Sequence, residues 1–209
     1  MNEKSRVRQG LFPWRRLMDS IRLQTVRMVS SPDKKLLQRA QAGDSDAFGQ
    51  VVDLCYEQIF RFAVKYTGHR QDAEDVAQLA CIKLATAITS YRFEAAFSSW
   101  LYTLVLNCAR DWYRQQQRDS RRDVWDGSQS EYGDVPVQGG EESVIYLRQV
   151  LAQVQSMGEE FFDTLVLVAG EGLSHKAVAD LLGVKESTVS WRIHEIRKRL
   201  ASARAQEEV

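Results

Sequence analysis

The segment Gly172 to Leu200, GLSHKAVADLLGVKESTVSWRIHEIRKRL, constrains this chain most, because two short apolar-periodic stretches meet there at one glycine. Ser174 is placed to cap a helix in which Ala177, Val178, Leu181 and Leu182 recur at the spacing of one buried face. Gly183 tolerates the left-handed backbone of a sharp helix-to-helix turn, and Ala179, four residues earlier, is small enough for a second helix to cross closely. That second helix would bury Val189, Ile193, Ile196 and Leu200. At about 100° per residue, Ser187, Ser190, Trp191, His194 and Lys198 then face the other way. From Ser174 to Arg204, Lys176, Lys185, Arg192, Arg197, Lys198, Arg199 and Arg204 outnumber Asp180, Glu186 and Glu195, which suits phosphate contact. An ordinary helical pair with a solvated charged face leaves Trp191 without a use; a DNA-reading helix-turn-helix gives it one.

A chain of 209 residues suits one medium domain or two small ones, and its zero net charge hides strong segregation. Lys4, Arg6, Arg8, Arg15, Arg16, Arg22 and Arg27 face only Glu3 and Asp19 in the first thirty residues. Pro13, Trp14, Leu17, Met18, Ile21, Val26 and Met28 are interleaved there, so a basic amphipathic helix touching a membrane surface stands beside a disordered arm or a downstream start at Met18 or Met28. From Asp123 to Glu142 the sign reverses, with Asp123, Asp126, Glu131, Asp134, Glu141 and Glu142 and no Lys or Arg. Gly127, Gly133, Pro136, Gly139 and Gly140 share that stretch, which reads as an acidic flexible linker.

Cys55, Cys81 and Cys108 are far apart in sequence, each within an apolar helical pattern, and are expected to be buried free thiols of a cytoplasmic protein. His69, His175 and His194 lie in unrelated contexts, with no Cys or carboxylate at metal or nucleophile spacing, so no metal, no cofactor, no small-molecule substrate and no catalytic residue is expected. No run is long and apolar enough for stable membrane insertion.

From Asp33 to Arg118 the apolar spacing is helical almost throughout. Leu36, Leu37 and Ala40 form a first helix ending at Gly43. Ser45 is expected to cap a second, with Phe48, Val51, Val52, Cys55, Ile59, Phe62 and Ala63 inward and Thr67-Gly68 at its close. A third starts near Gln71-Asp72, acids first, and is expected to bury Val76, Leu79, Ile82 or the Lys83 stem, and Leu84. After Tyr91 to Ala96 a fourth carries Trp100, Leu101, Leu104, Val105, Cys108 and Trp112, with Asn107, Arg110, Asp111, Arg114 and Arg118 on its polar face.

Two stretches here, DAEDVAQLACIKL at 72–84 and FSSWLYTLVLNCARDWYRQ at 97–115, resemble region 2 of bacterial RNA polymerase sigma factors, and TVSWRI at 188–193 resembles region 4. Two regions with a short linker look like the extracytoplasmic-function group of the sigma-70 family. The resemblance covers roughly residues 33–204. It implies an all-α fold of two small helical domains: region 2 at 33–118, a flexible acidic linker at 119–142 and region 4 at 143–204, behind a basic arm at 1–32. The implied function is not enzymatic. The factor would bind core RNA polymerase and direct initiation at promoter DNA, probing its -10 and -35 elements, under an anti-sigma partner and in a stress or envelope response. Asp72, Glu74, Asp75 and Gln78 become the implied core-binding face, where helix-dipole complementarity alone would also place acids. Tyr91 and Phe97, with the loop between them, would hold a flipped -10 base, Asn107 would contact the element, and Arg110 and Arg114 would grip phosphates. Trp100 divides between base contact and core packing. Ser187, Thr188, Ser190, Trp191 and His194 would lie near -35 base edges, with Lys185, Arg192 and Lys198 on phosphates. The sequence departs from the family at Lys185-Glu186, at Met157-Gly158 where Leu-Pro is frequent, and at Glu195, a position often basic. The linker, empty of Lys and Arg, would serve as a nucleic-acid mimic near the active-site channel or as a plain tether.

Overall fold

A computed structural model describes residues 31–119 and 140–207, and every regular element among them is helical. The described residues fall into two compact units, in chain order a front unit at 31–119 and a rear unit at 140–207. Of the expected basic arm at 1–32 and acidic linker at 119–142, residues 1–30 and 120–139 lie outside the described residues.

The front unit contains α1 (Lys34–Gln41), α2 (Ser45–Thr67), α3 (Arg70–Ala87) with a 3-10 turn at Ile88–Ser90, and α4 (Phe97–Asp119). Asp33 caps α1, accepting from the Leu36 amide at 2.7 Å. The cap of α2 is Asp44, not Ser45: its carboxylate accepts from the Ala47 amide at 2.9 Å while Arg39 pairs with it at 2.6 Å. The amide bond and the arginine together hold the Asp44 carboxyl below the usual range. α2 ends at Gly68, whose φ of 73° only glycine adopts at no cost. Its inward stripe of Val51, Cys55, Ile59, Phe62 and Tyr66 packs chiefly on α3, which supplies Ala73, Val76, Ala77, Ala80 and Leu84. The alanines permit close approach, and the longer Leu101, Val105, Leu106 and Cys108 of α4 complete the core. Of the two alternatives at that step of α3, Ile82 stands outward, 66% exposed. The Lys83 stem is half-buried instead, and its ammonium donates to Asp111 on α4 at 2.9 Å.

The three thiols, separated in sequence, converge between α2, α3 and α4 closely enough for Cys81 to act electrostatically on both Cys55 and Cys108. All three are free, as expected. Burial pushes Cys55 up to about 12 and Cys108 up to about 11, and raises Cys81 as well. They stay protonated and act as small apolar fillers.

The rear unit contains α5 (Gly140–Met157), α6 (Glu159–Leu165) running into a π turn at Val166–Gly170, α7 (His175–Leu182) and α8 (Glu186–Glu207). Helix α5 thus begins three residues before the expected edge of the linker. Phe162, Leu165 and Leu167 meet Val178, Ala179, Val189, Ile193 and Ile196 in the core. Ser174 caps α7 as its sequence predicts, accepting from the Ala177 amide at 3.2 Å. Gly183 makes the turn with φ of 66°, its amide bonded to the Ala179 carbonyl. Leu181 and Leu182, expected inside, are only half-buried, because Val178 and Ala179 occupy the line of contact with α8.

Candidate nucleic-acid interface

The outer face of α8 follows from burying Val189, Ile193 and Ile196: Lys185 before the helix and Ser187, Ser190, Trp191, His194 and Lys198 on it are all exposed. Trp191, 54% exposed, leans its ring toward Phe161 of α6 with centroids 5.6 Å apart, an arrangement that holds the indole in one place. Ser190 Oγ lies 2.9 Å from His175 Nδ1 at the start of α7. Thr188 is half-buried. Arg192 turns inward, placing Nη1 3.4 Å from Thr164 Oγ1 and leaving Nε out of water without a partner. A guanidinium so tied is a poorer phosphate hand than exposed Lys185 or Lys198.

In the front unit Tyr91 is 7% exposed and its hydroxyl donates to the Ala95 carbonyl at 2.7 Å, closing the loop to α4 on itself. Its ring centroid lies 4.7 Å from Phe93, 5.4 Å from Phe97 and 5.2 Å from Trp100, and Phe97 is 5.6 Å from Trp100. Each such pair adds about 0.5–1.5 kcal/mol beyond burial. Tyr91 and Phe97 are therefore the packed floor of an aromatic cluster, and its partly exposed rings are Phe93 and Trp100. Phe93 sits at φ 59°, a left-handed backbone that bulky residues rarely take, beneath the Lys34 ammonium at 5.3 Å from its centroid. The Gln41 amide donates to the carbonyls of Ile88 at 2.8 Å and Tyr91 at 2.7 Å, so α1 holds the entry to this loop.

From Trp100 the polar face of α4 continues through Thr103, Asn107, Arg110 and Arg114 at alternating steps of three and four. One stripe about 21 Å long results. Asn107 Oδ1 accepts from Arg110 at 3.5 Å, a long contact that a ligand can displace.

Helix α3 carries the acids. Glu74 is paired with Arg70 at 3.1 Å, and the His69 ring nitrogen is 3.8 Å from Asp72. Burial raises the Asp72 carboxyl above its ordinary value, opposed by His69 and reinforced by Asp75. Asp75 and Gln78 are exposed, and Ile82 follows them on the same stripe.

Residues 51–119, from Val51 in α2 to the end of α4, match the family described as Sigma-70 region 2. The extracytoplasmic-function RNA polymerase sigma factor SigW of Bacillus subtilis is 27% identical over 175 residues, covering 80% of this chain and 94% of its own. The chain belongs to the sigma-70 family, in the extracytoplasmic-function group. Among solved structures this sigma factor is similar to CnrH in complex with the cytosolic domain of CnrY, with a TM-score of 0.58 at 22% identity, covering 85% of this chain and 99% of that one. It is also similar to the sigma factor RpoE in complex with the anti-sigma factor NepR from Bartonella quintana, with a TM-score of 0.53 at 22% identity, covering 74% and 94%. Both speak for the all-helical fold.

The sigma factor brings Asp72, Glu74, Asp75 and Gln78 onto α3, and Asn107, Arg110 and Arg114 onto one stripe of α4. It also adds residues that sequence reasoning missed. Phe93, Lys34, Gln41, Phe161 and His175 reach their partners across loops and between helices, where no local spacing could announce them. Among the described residues no helix is long and apolar enough to cross a membrane.

Proposed function

We propose that this sigma factor binds core RNA polymerase through the acidic face of α3, opens the -10 element along α4 and reads the -35 element with α8. The observation that carries the reading is the stripe on α4. It starts in an aromatic cluster able to stack unpaired bases and continues into amide and guanidinium groups over about 21 Å. That length matches about six base steps at 3.4 Å. Opening DNA needs a surface that captures bases as they leave the stack, and Phe93 and Trp100 are the rings with partly exposed surface.

On this reading residues 33–118 are region 2, 143–204 region 4, 119–142 the linker and 1–32 a basic arm. The factor acts in the cytoplasm and performs no bond chemistry of its own. Since RpoE of Bartonella quintana is seen with an anti-sigma factor, an anti-sigma protein is the expected regulator here too. The group suggests a stress or envelope response. Reconstitution with core polymerase tests this directly: the reading expects a stable complex and promoter-dependent transcription. Failure to bind core would sink it.

A further inference from the structure

Ser190 faces outward from α8, yet its hydroxyl is engaged, because His175 Nδ1 lies 2.9 Å from Ser190 Oγ and joins α7 to α8 across the turn. His175 is the first residue of α7, half-buried, directly after the capping Ser174. The same cap that starts the helix therefore fixes where the imidazole stands. A serine hydroxyl has one proton and two lone pairs, so alone it can donate to a base edge or accept from one. A ring nitrogen at 2.9 Å engages either that proton or one of the two lone pairs. Where Nδ1 accepts, the proton is committed and Oγ offers only lone pairs, which suit the exocyclic amines of adenine or cytosine. Where Nδ1 carries hydrogen and donates, the hydroxyl proton is free for guanine O6 or N7, adenine N7 or thymine O4. In that second arrangement one lone pair stays free as well, so only an accepting Nδ1 confines Ser190 to a single role.

We propose that His175 is a specificity-setting positioning residue, whose Nδ1 accepts the Ser190 proton and so holds Oγ to an accepting role toward the -35 base pair it faces. This rests on α8 reading the -35 element. The test uses the full chain with core polymerase and a promoter library randomised over the -35 element, with selected sequences counted. Ser190→Ala should flatten preference at one base pair and so locate it. His175→Phe keeps a ring and loses the nitrogen. It should weaken discrimination at that same base pair by roughly two- to tenfold, the range of one net hydrogen bond, and leave the other positions alone. His175→Asn, whose amide puts a polar atom near the place of Nδ1, should restore one preference. The double variant Ser190→Ala with His175→Phe should be no flatter than Ser190→Ala. Unchanged preference in His175→Phe, equal loss at every position, or no effect of Ser190→Ala would each overturn the proposal. A wild-type factor that binds core but selects no -35 sequence would overturn the reading of α8 itself, and the proposal with it.

Discussion

In the front unit Tyr91 and Phe97 are nearly as buried as the core valines, and Gln41, Lys34 and Ala95 tie their loop down. In the rear unit Ser187, Ser190, Trp191, His194 and Lys198 stand exposed, and only the opposite side of the same helix enters the core. The difference fits the two tasks proposed for the units. Capturing a base that has left the stack needs a preformed, rigid aromatic bed, so the site and the fold share side chains. Reading base edges in an intact groove needs side chains that project, so the rear face can change while its core stays the same. Stability and function should accordingly be coupled at the aromatic bed and separable on the outer face of α8.

The largest expected effect breaks the front bed. Tyr91→Ala should cost about 3 kcal/mol of front-unit stability, the usual range for removing a packed aromatic ring, and abolish strand opening with it. Tyr91→Phe, which loses only the bond to Ala95, should cost about 1 kcal/mol in the same thermal melts. A Tyr91→Ala variant that melts normally would break the comparison. Next, reversing charge at exposed Asp75 to Lys should weaken core polymerase binding about tenfold or more, with the melting curve unchanged. Equal loss of folding would make α3's acids structural.

In the rear unit, Ser174→Ala removes a cap and should lower stability by about 1 kcal/mol while leaving base preference intact. Trp191→Ala is the mirror image. It should shift -35 preference while changing stability by less than about 1 kcal/mol, since more than half of the side chain is already exposed.

The smallest effect concerns Asp72, whose carboxyl burial holds above its ordinary value of 3.8. The folded state then binds this proton more tightly than the unfolded chain does, so stability falls as pH rises through 3.8 and the raised value above it. Asp72→Asn should remove that downward slope in acid-to-neutral melts and weaken core binding. The charge is kept against the preference of the fold, as expected of a group retained for a partner.

Helix-level structure was largely legible in the sequence because apolar spacing is dense: the caps at Ser174 and the stops at Gly68 and Gly183 stand where propensity puts them. Ser45 lost its capping role to Asp44, which accepts from the Ala47 amide and is also paired with Arg39 in the last turn of the preceding helix, a partner that spacing rules do not include. Ile82 is apolar by type, yet it falls on the outward stripe of Asp75 and Gln78, opposite the alanines that carry the α2–α3 contact. The outward face of α8 was legible for a related reason, since exposed residues are whatever the core stripe leaves over. Arg192 was not, because its partner Thr164 lies 28 positions away on α6, and the aromatic floor likewise depends on a loop folding back.

The division of labour between the units can be tested in one assay, transcription by core polymerase from a duplex promoter and from the same promoter already unpaired over its -10 element. Trp100→Ala should lose most activity on the duplex and recover it on the unpaired template, whereas Trp191→Ala should show the same altered -35 dependence on both. If pre-opening fails to rescue Trp100→Ala, or rescues Trp191→Ala equally, the front unit is not the one that opens DNA.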